Sequence, residues 1–304
     1  MKVNQINVTN DMKVIDLLNQ FDHSNVLGAG RVARACNILT EMIKDDDMKV
    51  FMSLGGPLIP GGMRNIVTKM IKEGHVDLIV SSGANITHDL LEAFGGSHYR
   101  HEGKDDEELN EEGIGRIADI NVGSDDFTVF ESEITKIFDE ISSKKSKVSI
   151  QELLHEVGLL VDDENSFVAT AARNDVPIFA PGLIDSMMGL QLWIFNQDHD
   201  FVVDAVADMH YLSDIVFEAE KVGAILLGGG LTKHYTLASN VIKGGLDAAI
   251  QITMDRPEAG SLGGAPLEEA KSWAKARCGS SLASVVGDVT VIFPLIYAAA
   301  LDKL

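Results

Sequence analysis

The chain has 304 residues, 45% hydrophobic and 23% charged. That composition suits a globular enzyme and excludes a disordered chain. The net charge of −21 argues against general nucleic-acid binding, whose phosphates need Lys and Arg, and suits a cationic ligand or a basic partner.

No apolar run approaches the ~20 residues of a membrane span. MKVNQINVTN has no signal-peptide pattern, so the expected location is the cytoplasm with no membrane contact. Cys36 and Cys278 lie far apart and without metal-ligand spacing. They read as small buried hydrophobes in a reducing compartment. No His/Cys/Asp group has ligand spacing either, so no metal is expected.

In chain order, residues 1–24 read as an N-terminal arm whose one short apolar segment is MKVIDLL, and residues 25–304 as one α/β domain. Lys49–Leu54 reads as a strand, GGPLIPGG as a loop and Met63–Glu73 as a helix. Asp77–Val80 is the next strand, followed by SSGAN and a helix over Ile86–Phe94. Residues 100–147 are charge-rich and form an exposed helical excursion, with an amphipathic helix around Phe127–Ile141. Pro177–Ala180 is a strand before PGLIDSMMG, and Ala224–Leu227 one before GGGLTKH and a helix. Asp247–Ile252 and Val289–Phe293 read as further buried strands. Strand, glycine loop and helix in repetition predict a mostly parallel, doubly wound sheet of Rossmann-like type.

The glycine loops fall where such sheets collect ligands, at the C-terminal strand ends. In Gly223–Gly230 (GAILLGGG) the missing Cβ atoms let backbone N–H groups approach an anion at a helix start. A triple glycine serves a tight turn as readily, and LGGGLTKH lacks the GxGxxG spacing. Four such openings (GGPLIPGG, SSGAN, GGG and SLGG) suggest an extended ligand such as a dinucleotide. A chain with 28 glycines also needs many turns. Lys233 and His234 follow GGG directly, and Asp185 sits in the loop after PGLI. PLEEAKSWAKARCG reads as a helix with Pro266 in its first turn, ending near Cys278.

At SWAK and GGGLTKH the sequence resembles the deoxyhypusine synthase family, and the resemblance runs along essentially the whole chain. GGMRN resembles the family's SGIRE, GGGLTKH its GGG-x-x-KH, and GGLDAAIQIT its NGADYAVYIN. EEAKSWAKAR resembles DEAVSWGKIR, and GDVTVIFPL resembles ADASLVFPL. This resemblance implies an NAD-dependent aminobutyltransferase. Spermidine is oxidised to an imine with NAD as hydride acceptor, a lysine amine takes the aminobutyl group as diaminopropane leaves, and an acceptor amine then displaces the lysine. The implied acceptor is a lysine of the translation factor five-A, and the implied assembly is a homotetramer.

By the same resemblance Lys275 is the imine-forming lysine, Trp273 walls the amine channel and His234 lies near the reacting nitrogen. Glu269 holds an ammonium, and Gly260, Ser261 and His88 fall on substrate positions. Gly56, Pro57, Ser82, Gly83, Asp185, Gly229, Asp288 and Val289 fall on NAD positions. Lys233 is the rival nucleophile by composition. Residues two apart on a helix point roughly 200° apart, so Trp273 and Lys275 share a pocket only if the helix stops near Ser272.

The chain departs from the family at three acidic spermidine positions, which here are His88, Leu190 and Leu262, with Glu258 a possible substitute for the last. Each lost charge-assisted contact is worth ~1.5–3 kcal/mol. An enzyme using a small amine acceptor or another donor, as homospermidine synthases do, is therefore the second reading. A non-catalytic NAD-binding scaffold is the third.

Overall fold

The computed structural model describes residues 2–304. In chain order come α1 (Val14–Ser24), α2 (Leu27–Lys44), β1 (Met48–Leu54), α3 (Arg64–Lys72), β2 (Leu78–Ser81) and α4 (Gly83–Ala93). Next are β3 (His98–Arg100), α5 (Asp106–Glu111), β4 (Ile114–Ile117), β5 (Ile120–Gly123), α6 (Ser124–Ser142), β6 (Lys147–Ser149), α7 (Ile150–Leu160) and α8 (Phe167–Arg173). The chain continues through β7 (Ile178–Phe179), α9 (Met187–Phe195), β8 (Val202–Asp204), α10 (Asp208–Glu218) and β9 (Lys221–Leu227). It ends with α11 (Gly230–Ser239), β10 (Leu246–Thr253), β11 (Ala276–Val286) and α12 (Val289–Leu301).

These elements form two compact units. The first comprises residues 2–55, His75–Val80 and His210–Leu304; the second comprises Gly56–Gly74 and Ser81–Met209.

The strand order in the first unit is β11-β10-β9-β1-β2. β1 runs parallel to β9, β9 to β10, and β10 to β11. α2 and α12 pack on this sheet, and α11 packs on β1 and β9. Every residue of β9 from Val222 onward is buried, as expected for a strand covered on both faces. The Asp77 carboxylate fixes the start of β1 by accepting from the Val50 N–H at 2.8 Å and from Lys49 Nζ at 2.7 Å. Part of the expected N-terminal arm is helical: α1 packs against α2, with Leu18 buried.

The second unit is built from short capped helices around its own core. Ser82, Ser149, Ser166 and Ser186 each accept an N–H of the first turn of α4, α7, α8 and α9. The excursion over 100–147 carries the expected helix, now α6, with Phe130, Ile134, Phe138 and Ile141 buried. It also holds an antiparallel sheet in the order β3-β5-β4, which the charge-rich sequence did not disclose.

Three local expectations are corrected. Val289–Phe293 is the opening of α12, not a strand: Asp288 caps it, and Val289, Phe293, Ile296 and Ala300 are buried at helical spacing. PLEEAKSWAKARCG does not stay helical to Cys278, because a 3-10 turn over Leu267–Trp273 gives way to β11 at Ala276. Cys36 is buried as expected, but Cys278 is exposed. Among the described residues, no helix is long and apolar enough to cross a membrane.

Candidate active site

The nucleophile candidate is positioned by a break in local structure. The 3-10 turn ends at Trp273, and Ala274 adopts a left-handed conformation with φ 53°. The reversal puts Trp273 and Lys275 on the same side, with Lys275 Nζ 5.4 Å from the centroid of the indole. The early helix end required by their joint use is therefore present. Opposite them, the Gly244–Gly245 turn fits closely. A Cβ at Gly245 (φ 97°) would lie 2.7 Å from Ala274 O and the carbonyl carbon of Lys275.

Lys275 and Trp273 line a cleft of about 460 Å³ within the first unit, together with His234, Glu269, Gly260 and Ser261. All six are residues singled out from the sequence. Leu262, Leu237, Pro257 and Ala270 make part of its wall apolar. Partial burial, and then the charge of Lys275, push the His234 imidazole below its ordinary pKa. Lys233 also borders the cleft but is only 2% exposed. Its Nζ donates to Leu262 O at 2.8 Å and to Ala265 O at 2.7 Å. Burial pushes its pKa down to about 8, against the pull of Glu269 and Asp255.

Beside this cleft the glycine loops after β1 and β9 meet backbone to backbone. The Gly55 N–H donates to Leu227 O at 2.8 Å, and a Cβ at Gly228 (φ 84°) would lie 2.8 Å from Gly55 O. A Cβ at Gly229 would run into Gly263. No side chain caps α11 at Gly229, so its first N–H groups are not taken by a cap. The sheet order reverses between β1 and β9, which is where open α/β sheets bind ligands. These features fit an anionic nucleotide group. Asp288 and Val289 stand at the start of α12, where Asp288 Oδ1 accepts from the Thr290 N–H at 2.7 Å and the Thr290 hydroxyl at 2.6 Å. Those hydrogen bonds lower the Asp288 pKa.

The remaining cofactor candidates lie in the second unit, where three loops converge. Asn85 Nδ2 donates to Gly56 O at 2.9 Å and Ser82 Oγ at 3.2 Å, and its Oδ1 accepts from the Ile59 N–H at 3.0 Å. A Cβ at Gly83 would lie 2.6 Å from Ser186 Oγ, so that turn abuts the segment holding Asp185. Gly56, Pro57, Ser82, Gly83 and Asp185 are thus brought near one another, with Asp185 exposed.

A family profile described as deoxyhypusine synthase matches residues 16–300. The chain belongs to the deoxyhypusine synthase family. Membership makes it an enzyme of the transferase class. It is 59% identical to the probable deoxyhypusine synthase of Methanothermobacter thermautotrophicus, over 100% of this chain and 99% of that protein. It is 43% identical to the probable deoxyhypusine synthase of Methanopyrus kandleri, again over 100% of this chain and 99% of the relative. A crystal structure from Entamoeba histolytica, described as a candidate deoxyhypusine synthase, superposes with a TM-score of 0.69 at 18% identity. That match covers 99% of this chain and 97% of the other, and carries the fold alone.

The departures from the deoxyhypusine synthase pattern are distinct in setting. Leu262 lines the cleft. Leu190 is 42% exposed on α9 of the second unit. His88 is buried in that unit and lines no part of the cleft: its Nδ1 lies 2.8 Å from His98 Nε2, and His98 Nδ1 lies 2.7 Å from Glu92. Burial and then His98 push the His88 pKa down to about 4. Glu258, the possible substitute for Leu262, is exposed on a 3-10 turn.

Sequence reasoning missed Asn85, which ties loops of the second unit together, and Gln251, which holds the cleft loop of the first. Asn85 is visible in SSGAN as the one side chain there able to bridge two backbones. Gln251, which donates to Gly263 O at 2.7 Å, reads only as a polar residue in a buried strand. Lys233 was weighed as a nucleophile, whereas its nitrogen is engaged by two carbonyls.

Proposed function

We propose that this protein transfers the aminobutyl group of spermidine to a lysine of the translation factor five-A, with NAD as cofactor and Lys275 as the carrier. The observation that supports this most is the gathering of Lys275, Trp273, His234 and Glu269 on one cleft. NAD supplies the hydride acceptor and, once reduced, the hydride donor. The glycine contacts around Gly55, Gly228 and Gly229, with the uncapped start of α11, suit its phosphates. The neutral Lys275 amine attacks the oxidised carbon of the donor, forming a C–N bond as diaminopropane departs with its electron pair and a proton. The incoming acceptor lysine then displaces Lys275. The Trp273 face shields the amine from water on one side, and Glu269 accepts an ammonium of the donor. His234, with a lowered pKa, is mostly neutral at pH 7 and available to take a proton from the reacting nitrogen.

The test is incubation with NAD and labelled spermidine, with and without the translation factor. Label on a lysine of the factor, and borohydride trapping of an adduct in SWAKAR at Lys275, are expected. A trapped adduct at Lys233 would overturn the assignment. Leu262 in the cleft wall favours one second reading, transfer to a small amine. That reading is adopted if putrescine is labelled readily and the factor never is.

A further inference from the structure

The loop that closes the cleft, Ser261–Ala265, contains two glycines and lies outside regular structure. A segment of that kind should be mobile, yet three of its backbone carbonyls are held by buried side chains. Lys233 Nζ donates to Leu262 O at 2.8 Å and to Ala265 O at 2.7 Å. Between them Gln251 Nε2 donates to Gly263 O at 2.7 Å. Gln251 is 1% exposed and Lys233 is 2% exposed. Within the loop, the Gly264 N–H donates to Ser261 Oγ at 3.2 Å.

Burying a lysine is costly unless its donors are used. Here each of two carbonyls receives one N–H, and a donor remains for each whether the nitrogen is charged or neutral. Lys233 and His234 are neighbours on α11 with opposite fates. His234 is exposed to the cleft, while Lys233 runs under the loop. The loop's upper surface supplies Ser261 and Leu262 to the cleft, while Gly263 abuts the Gly229 turn.

We infer that Lys233, with Gln251, is a positioning residue for amine-donor binding: it clamps the Ser261–Ala265 loop so that Ser261 and Leu262 stand in the wall facing Lys275. This rests on the reading of the cleft as the amine site. It also accounts for a second lysine within the site that is not the nucleophile. Its nitrogen is engaged by backbone, whereas that of Lys275 faces the cleft.

The experiment compares wild type, Lys233→Met and Gln251→Leu by amide hydrogen exchange and by steady-state kinetics with spermidine and NAD. The Lys233→Met variant is expected to exchange about tenfold faster over residues 258–268, with β1 and β9 unchanged. The spermidine KM should rise about tenfold, and kcat should fall less than about threefold. The borohydride adduct should remain at Lys275. Gln251→Leu should show the same pattern more weakly, and it carries the test if Lys233→Met does not fold. Unchanged exchange, or faster exchange with unchanged KM, overturns the clamp. So does a collapse of kcat with loss of the Lys275 adduct, which would make Lys233 catalytic. If wild type neither transfers nor traps, the functional reading fails, and the exchange measurement still decides whether Lys233 holds the loop.

Discussion

Arg64 in the second unit and Lys275 in the first are both basic side chains, and the molecule treats them in opposite ways. Arg64 Nε donates to Asp89 Oδ1 at 2.7 Å, and its Nη2 donates to Asp163 Oδ2 at 2.7 Å and Asp89 O at 2.9 Å. Asp89 is fully buried and also accepts from the Ser166 hydroxyl and from the N–H groups of Phe167 and Val168. Around Lys275 the polar groups face a cleft, and the amine has an indole face for company. A network in which buried charges have their partners within the fold specifies the fold. A set of charges that face a cavity is available to a ligand. Perturbing the two regions should therefore separate activity from stability.

The largest expected effect is at Lys275. Lys275→Arg keeps the charge, but a guanidinium stays protonated and cannot attack. Transfer and the trapped adduct should fall by about a thousandfold or more, measured with labelled donor. The urea midpoint and NAD affinity by calorimetry should stay at wild-type values. A variant that still transfers would remove the contrast between the regions.

Arg64→Met should do the reverse. It strands Asp89 as an uncompensated buried carboxylate, and loss of one partner of a buried pair costs about 3–5 kcal/mol. Urea unfolding should show this loss. If stability is unchanged, the network is not what holds the second unit.

The acid limb of stability sharpens the same contrast. His88 is buried with a pKa of about 4, well below its ordinary value. The native state therefore binds fewer protons than the unfolded chain between about pH 6.5 and 4. Stability should fall as pH drops through that window, by up to about 3 kcal/mol from this group. His98 and Glu92 are the titratable groups facing it. His88→Gln should flatten the limb in urea titrations at pH 7, 5.5 and 4, and an unchanged limb would assign it elsewhere.

The smallest effect concerns the whole surface. With a net charge of −21, affinity for a basic protein acceptor should weaken as salt rises, since exposed charges are screened over ~10 Å at 0.1 M. A small-amine acceptor should show much less dependence, which acceptor KM at two salt concentrations will distinguish.

Much of the sheet and the candidate nucleophile were legible because their signals are local. Apolar runs followed by glycine loops announced β1, β2 and β9, the apolar stretch Asp247–Ile252 announced β10, and SWAK pointed to Lys275 by resemblance. β11 was hidden because ARCGSSLASVV mixes exposed and buried positions, and its pairing with β10 is long-range. VTVIFPL reads as a strand from its β-branched residues, yet Asp288 caps it into a helix, so the same carboxylate carries a structural task beside its expected cofactor role. The antiparallel sheet over 98–123 has strands of three and four residues among many charges, too short for alternation to register. The task of Lys233 was illegible because its partners are backbone carbonyls about thirty residues ahead in sequence, and backbone has no letter.

Ala274 carries a consequence for how this site drifts over generations. A non-glycine residue in the left-handed region costs roughly 1–2 kcal/mol, and the corresponding family motif SWGK has glycine there. Replacement of alanine by glycine relieves that cost without moving either neighbour. Insertion or deletion of a single residue is different, because the one reversed peptide sets the phase between indole and amine. A change in the spacing between Trp273 and Lys275 should therefore cost this site more than a change in the side chain at position 274.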